Sequence, residues 1–164
     1  IDPKMSFGTG HHETTSLMIA EILEADLDGK NILDMGCGTS VLAILASMRG
    51  ANKLTAIDID DWCIENSLEN ARLNGISNID VLLGDATSLP GSYFDMIFAN
   101  INRNILLADM DKYADCLPAG GSLYLSGFYT EDIAILTQRA SENNLTVEYS
   151  KAKNNWAMLR LKKA

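Results

Sequence analysis

Apolar and polar positions along this chain repeat with two different periods. Short apolar runs predict strands at residues 31–35, 53–57, 79–83, 94–99 and 122–126. Between these runs, apolar residues spaced three or four apart predict helices at residues 14–24, 41–48, 60–73, 104–117 and 131–142. This alternation of strands and helices is typical of an α/β fold with a parallel sheet.

The C-terminal end of the chain breaks the alternation. Two strand-like runs, 145–149 and 156–161, follow each other without a helix, across the polar turn 151–155. A hairpin of this kind adds one antiparallel strand to a parallel sheet. The pattern therefore predicts a sheet of about seven strands, mostly parallel, with a C-terminal antiparallel hairpin. This is the form of Rossmann-like, class I methyltransferases, whereas a plain dinucleotide-binding domain lacks the hairpin.

The junction between the first strand and its helix carries candidate ligand-binding chemistry. The strand ends near Asp34, and Gly36 and Gly38 follow at alternate positions. Glycines there allow a tight turn and let a ligand approach the backbone. Asp58 lies twenty residues beyond Gly38, at the end of the next strand, where nucleotide-binding folds place an acidic residue on ribose hydroxyls.

The spacing of this loop favours one class of nucleotide. A dinucleotide fingerprint, G-x-G-x-x-G, requires a third glycine where this chain has Leu42. The carboxylate of Asp34 repels a pyrophosphate but suits a cation, and S-adenosylmethionine (SAM) carries an ammonium, a sulfonium and no phosphate. The loop thus favours SAM over NAD. The alternative is a tight strand-to-helix turn that binds no ligand.

Length, net charge and cysteine content exclude several classes of protein. The 164 residues suffice for one domain, and a net charge of −9 argues against direct nucleic-acid binding. The three cysteines form no C-x-x-C motif, so no zinc cluster or disulfide framework is predicted, and a reducing cytoplasm fits best. Neither a signal peptide nor an apolar run of about 20 residues occurs, so no membrane association is predicted. The adjacent His11 and His12 lack partners for a metal site, and no metal is expected.

Four segments resemble one known family. They are Phe7–Ser16 (FGTGHHETTS), Leu33–Gly38 (LDMGCG), Asp58–Asp60 (DID) and Ala99–Ile101 (ANI). Together they are similar to the PrmA family, bacterial methyltransferases that modify large-subunit ribosomal protein eleven with SAM. The resemblance covers residues 1–164 as a single catalytic domain. It implies an N-terminal substrate-recognition domain that this chain, which begins at Ile1 without an initiator Met, does not contain.

The resemblance also implies site residues and shows two departures. It implies that Phe7–Thr15 forms a lid-like loop over the methionine end of SAM, with Phe7 and Thr15 as cofactor contacts. Thr15 would lie at a helix start, where backbone N–H groups are free, although a plain helix cap is the alternative. Ser40 stands where the family usually has a third glycine, and Asn102-Arg103 stands where small or apolar residues are common.

Each remaining candidate has a functional and a structural interpretation. Asp34 would orient the methionine ammonium or cap the turn, and Gly36 and Gly38 would bring the backbone close to the ligand. Asp58 would accept both ribose hydroxyls or end its strand in solvent. Ile59 would pack on the adenine face. Asp85 would accept from the adenine amino group or cap its loop.

Asn100 is the predicted catalytic residue. It follows the fourth strand, where amino-methylating enzymes place an Asn or Asp, and it also counts as a cofactor-side residue. Its side-chain carbonyl would accept N–H groups of the acceptor amine and so aim the nitrogen lone pair at the sulfonium methyl. Ile101 replaces the proline of the N-P-P-Y motif found in nucleic-acid-modifying versions. The alternative role for Asn100 is a turn residue at the strand end.

The sequence favours a SAM-dependent protein N-methyltransferase that acts on lysine or N-terminal amines of a large-subunit ribosomal protein. Three alternatives remain open: methylation of another protein or a small amine, a SAM-binding module without catalysis, and an NAD(P)-dependent oxidoreductase. The loop spacing and the terminal hairpin disfavour the last. The sequence predicts neither the oligomeric state nor the number of methyl groups added.

Overall fold

The computed structural model describes residues 11–89 and 93–164, which fold around one seven-stranded sheet. The strands are β1 Asn31–Met35, β2 Lys53–Asp58, β3 Ile79–Leu83, β4 Met96–Asn100, β5 Ser122–Tyr129, β6 Leu145–Lys153 and β7 Trp156–Lys163. The helices are α1 His11–Glu24, α2 Val41–Met48, α3 Asp61–Leu73, α4 Arg103–Asp115 and α5 Ile133–Ser141.

The sheet has the order β3-β2-β1-β4-β5-β7-β6. Strands β1 to β5 pair in parallel, and β7 runs antiparallel to both of its neighbours, β5 and β6. The predicted fold class, including the reversed strand near one edge, is therefore confirmed. The order reverses between β1 and β4, the point at which doubly wound sheets open a crevice for ligands.

Alternate residues of the central strands belong to two separate hydrophobic clusters. Leu33, Ile97 and Leu123 belong to the cluster that contains residues of α4 and α5. Ile32, Phe98 and Tyr124 belong to the other cluster, together with residues of α1 and α2. Successive side chains of a strand point to opposite faces, so the two clusters cover the two faces of the sheet. All five residues of β4 are buried, as predicted for a central strand.

Most predicted helices and strands begin and end within three residues of the observed ones, and the largest difference is in the C-terminal hairpin. The predicted turn 151–155 was too long: β6 continues to Lys153, and only Asn154 and Asn155 turn, with φ of 50° and 68°. Two left-handed residues form the tight hairpin turn that matches strand twist. The polar residues at the end of β6 suggested a turn, but one of them has its partner outside the hairpin. Lys151 Nζ lies 2.6 Å from a carboxylate oxygen of the buried Glu21 on α1.

Other elements differ from the prediction at their ends. β4 starts at Met96 rather than Phe94, and β5 runs three residues further than predicted, to Tyr129, through a bulge. α5 begins at Ile133 because residues 130–132 form a single 3₁₀ turn. In the described residues α1 already includes His11, so Thr15 lies beyond its first turn rather than at its start.

Candidate functional site

A cavity of about 820 Å³ opens at the carboxyl ends of β1, β2, β3 and β4, beside the point where the strand order reverses. This volume lies within the range of small-molecule and cofactor sites. Its lining in the described chain comprises Met35, Gly36, Asp58, Ile59, Asp60, Asp61, Cys63, Gly84, Asp85, Ala86, Asn100, Ile101, Asn102, Ile105, Asp109 and Tyr113.

The structure brings together five of the predicted site residues at this cavity: Gly36, Asp58, Ile59, Asp85 and Asn100. Asp34, Gly38 and Thr15 do not line it. The predicted contact Phe7 and the first part of the predicted lid lie outside the described residues.

The glycine loop turns as its sequence predicts. Gly36 and Gly38 have φ of 67° and 57°, in the left-handed region that glycine adopts at little cost. The N–H groups of Gly36 and Cys37 both donate to the carbonyl oxygen of Ile57, at 2.8 and 3.0 Å. The loop is thus fastened to the end of β2, next to Asp58.

Asp58 connects this loop to the following segment. One of its carboxylate oxygens accepts the Gly38 N–H at 3.0 Å, and the other accepts the Asp60 N–H at 3.0 Å. A carboxylate has about four lone-pair sites, so two such bonds leave capacity for further donors. Asp58 therefore holds the loop and can still accept hydroxyl groups from the cavity.

Asp34 is buried under the loop, with 1% of its surface exposed. Burial raises the pKa of its carboxyl to about 8, against the opposing effect of a hydrogen bond from the Ala43 N–H at 3.2 Å. Ala43 lies in the first turn of α2. In this arrangement Asp34 caps the start of α2, and its predicted contact with a methionine ammonium stays a prediction.

Ser40, the first departure from the family pattern, points away from the cavity. Its backbone is left-handed, with φ of 63° and ψ of 26°, the conformation that a glycine adopts most readily. Its buried hydroxyl donates to the Ser67 hydroxyl at 2.7 Å, and Ser67 donates to the carbonyl oxygen of Gly38 at 2.8 Å. The Asn70 amide donates to the carbonyl oxygen of Thr39 at 3.1 Å. One buried polar face of α3 thus holds the glycine loop, and Ser40 does not crowd the cavity.

Asp85 lies at the far side of the cavity, after β3. Its side chain accepts hydrogen bonds from the backbone and the hydroxyl of Thr87, and these bonds lower the pKa of its carboxyl. It therefore caps the 3₁₀ turn Ala86–Ser88, which was the structural alternative. The carboxylate is exposed on the cavity wall and stays ionised, so both of its oxygens can accept from an amino group.

Asn100 ends β4 on the opposite wall. It is buried, and its side-chain oxygen has no hydrogen-bond partner within residues 11–89 and 93–164. A buried polar atom without a partner costs about 1–3 kcal/mol, so a native protein needs a reason to keep one. An N–H donor supplied by a ligand in the adjoining cavity would satisfy this oxygen.

One face of α4 completes the cavity wall, a role that the sequence did not predict. Ile105, Asp109 and Tyr113 recur every four residues and all line the cavity. This spacing, on the helix that directly follows Asn100, was the signal that could have identified them. Cys63 was also missed. Its burial raises the pKa of the thiol to about 11, so the thiol is neutral in the physiological range.

The part of the chain that the structure describes contains no group of three or more His, Cys, Asp or Glu side chains arranged to hold a metal ion. None of its helices is long and apolar enough to cross a membrane.

The sequence of this chain is similar to one family of methyltransferases. The family model described as ribosomal protein L11 methyltransferase (PrmA) matches residues 1–164. The ribosomal protein L11 methyltransferase of Phocaeicola vulgatus is 59% identical over 161 residues, which cover 98% of this chain and 57% of the relative. That of Porphyromonas gingivalis is 60% identical, with 98% and 56% covered. The chain thus spans less than three-fifths of the length of these relatives.

Solved structures agree on the fold. The ribosomal protein L11 methylase of Lactobacillus delbrueckii subsp. bulgaricus superposes with a TM-score of 0.90 at 30% identity, covering all of this chain and 84% of that one. TYW2 of M. jannaschii, solved in complex with AdoMet, superposes with a TM-score of 0.73 over 98% of this chain and 80% of that one. At 14% identity the latter shows the fold alone.

Proposed function

The chain belongs to the PrmA family of ribosomal protein L11 methyltransferases, and on this premise we propose that it transfers methyl groups from SAM to amines of ribosomal protein L11. The single observation that carries the proposal is the buried oxygen of Asn100 at the cavity wall, which has no hydrogen-bond partner among the described residues. It lies on the strand next to the glycine loop, where an acceptor amine and a nucleoside would meet.

The residues present fit SAM as the methyl donor. Gly36 lines the cavity, Asp58 has lone pairs free for ribose hydroxyls, and Asp85 offers an ionised acceptor for the adenine amino group. Ile59, with 73% of its surface exposed at the cavity rim, offers an apolar surface to the adenine ring. When bound, SAM supplies a methyl group already activated by its sulfonium.

Asn100 has the central role on the acceptor side. Its carbonyl oxygen accepts an N–H of the incoming amine and thereby fixes the direction of the nitrogen lone pair. Because the methyl group is already activated, orientation of this kind is the main contribution the chain makes to the rate. Ile101 and Ile105 add apolar surface to the same wall and exclude water from it.

The amine must reach this wall without its proton. The lining side chains of the described chain include no histidine or lysine to remove it. Deprotonation of a lysine with a pKa of about 10.4 costs about 4.6 kcal/mol at pH 7, and that of an α-amine near 7.9 costs about 1 kcal/mol. An N-terminal amine is therefore the less demanding acceptor, and a lysine depends on desolvation within the cavity.

Methylation of another protein or of a small amine is the second candidate function. The acidic surface, with a net charge of −9, suits a basic protein partner and disfavours a nucleic-acid substrate. The N-terminal recognition domain and the cytoplasmic location stay predictions.

The test is transfer of labelled methyl from SAM to ribosomal proteins purified from cells that lack this modification. We expect label on one small ribosomal protein, at amines that mass spectrometry can identify. Label only on small amines supplied in the same assay would favour the second function. SAM binding without any transfer would overturn the enzymatic proposal and favour a binding module.

A further inference from the structure

A bulge in β5 lies directly against the segment that follows Asn100. The register of β5 with β7 shifts between Ser126 and Phe128, which leaves Gly127 outside the ladder with φ of 97°. A Cβ at Gly127 would lie 2.5 Å from the carbonyl oxygen of Ile101 and 3.0 Å from its nitrogen. No side chain fits there unless Ile101 moves. Bulges often lie beside functional sites, where they redirect a neighbouring group.

Ile101 is consequently held on two sides. Its N–H donates to the carbonyl oxygen of Ser126 at 3.0 Å, and its side chain packs over Gly36 of the glycine loop. Its backbone rests on Gly127. The peptide unit that joins Asn100 to Ile101 therefore has little freedom, and this fixes the backbone from which the Asn100 side chain projects.

A second contact fixes the other end of this segment. Arg103, part of the unusual Asn102-Arg103 pair, forms an ion pair with Asp132 at 3.0 Å. Asp132 is almost fully buried, and its other oxygen accepts the Tyr129 N–H at 3.0 Å. The start of α4 is thus tied to the end of β5, on the same side as the bulge.

We propose that the Gly127 bulge, with the Arg103–Asp132 pair, positions Asn100 for the acceptor amine, an inference that rests on the proposed N-methyl transfer. Gly127 and Arg103 are positioning residues, since they act through Asn100 and Ile101. Their contribution belongs to the orientation of the acceptor and much less to the binding of SAM, because Asp58 ends β2 and Asp85 follows β3, whereas the bulge lies in β5.

The chain offers a matched control for Gly127. Gly120 also has a positive φ, of 84°, but a Cβ there meets no atom of the described residues within 4 Å. Gly127→Ala and Gly120→Ala therefore impose similar backbone strain, and only the former displaces Ile101. In the protein with SAM and ribosomal protein L11, we expect Gly127→Ala to lower kcat at least tenfold below Gly120→Ala. Its Kd for SAM should change less than threefold.

The possible results separate this inference from the proposed function. Equal kcat in the two alanine variants, or equal losses of kcat and SAM affinity in Gly127→Ala, would overturn the inference alone. Absence of transfer by the wild-type protein, with SAM bound, would overturn the proposed function and this inference with it.

A second pair of variants covers the case in which Gly127→Ala does not fold. Arg103→Met removes the ion pair with Asp132, and Arg72→Met removes the same charge from an exposed pair on α3. We expect Arg103→Met to lower kcat about threefold to tenfold at unchanged SAM affinity, and Arg72→Met to leave both unchanged. Equal kcat in these two variants would overturn the role of Arg103.

Discussion

The side chain of Ile101 packs so closely over Gly36 that a Cβ on this glycine would lie 2.7 Å from Ile101 Cγ1. Gly36 belongs to the loop proposed to bind the methyl donor, and Ile101 follows the residue proposed to hold the acceptor. The proposed donor and acceptor parts of the site therefore touch directly at Gly36 and Ile101.

Gly36→Ala should test this contact, because the added methyl group would clash with the Ile101 side chain. We expect it to lower the free energy of unfolding by about 2–5 kcal/mol, because left-handed strain of about 1–2 kcal/mol adds to overpacking of about 1–3 kcal/mol. Gly75 has the same φ of 67° but no atom near its Cβ position, so Gly75→Ala should lose only the strain. Urea denaturation of both variants measures the difference, and equal losses would contradict a tight contact with Ile101.

Asp58→Ala should weaken SAM binding by about 2–3 kcal/mol, the scale of hydrogen bonds to a charged group. Isothermal titration calorimetry measures this change. Asp80→Ala removes the same charge from an exposed residue that pairs with Lys53 on β2, and it should leave the affinity unchanged. Wild-type affinity in a folded Asp58→Ala protein would remove Asp58 from the site.

Asn100→Ala should reduce turnover more than SAM affinity, because the lost oxygen is proposed to contact the amine. We expect kcat to fall at least tenfold and the Kd for SAM to change less than threefold. Asn143→Ala, at the end of α5 and away from the cavity lining, serves as the control for an asparagine truncation. Equal losses of turnover and affinity would assign Asn100 to the donor side instead.

Asp34 should make stability depend on pH. Its carboxyl pKa is about 8 in the folded chain and 3.8 in the reference state, so the folded chain holds a proton that the unfolded chain releases. Stability from this group is therefore lost as the pH rises between these values, at up to about 1.4 kcal/mol per unit. Asp34→Asn does not titrate.

The stability advantage of Asp34→Asn over the wild type should accordingly grow from pH 4 to pH 8 and level off above. Urea denaturation at several pH values, without SAM, measures it. A constant difference across that range would mean that Asp34 is ionised in the folded chain.

Ser40 combines a strained backbone with a useful hydroxyl, so its two truncations should differ. Ser40→Ala keeps the strain and loses the bond to Ser67, at a cost of about 1 kcal/mol. Ser40→Gly loses the same bond but relieves about 1–2 kcal/mol of strain, so it should match or slightly exceed wild-type stability. Thermal unfolding distinguishes them. A large change of SAM affinity in either variant would contradict an orientation away from the cavity.

Most of the fold could be predicted from local pattern, because the central strands are short, apolar and flanked by clear turn residues. The exceptions depend on tertiary contacts. Lys151 and Lys153 read as a turn because they are polar, yet they belong to β6, where Lys151 pairs with Glu21 of α1. β5 was predicted too short because Gly127 looks like a strand end, although the strand continues past its bulge.

The candidate site likewise contains residues that local pattern identifies and residues whose role depends on tertiary packing. Asp58, Asp85 and Asn100 could be predicted because each lies at or just after the carboxyl end of a strand, and parallel strands bring these ends together. The cavity-facing side of α4 could not be assigned so easily, since which residues of a helix line a cavity depends on how it packs. Likewise, the sequence indicated that Ser40 was unusual, but only the position of Ser67 on α3 shows where its hydroxyl points.

The strand order has a consequence for how such a protein can diversify. The proposed donor contacts on the cavity wall, from Gly36 to Asp85, precede β4 in the chain, whereas Asn100 at the end of β4 and its proposed supports at Gly127 and Asp132 come later. A single recombination between β3 and β4 would therefore exchange the acceptor half of the gene and leave the donor half intact. The residue at position 101 would have to be compatible across that junction, because its side chain supplies the three atoms nearest to a Cβ on Gly36.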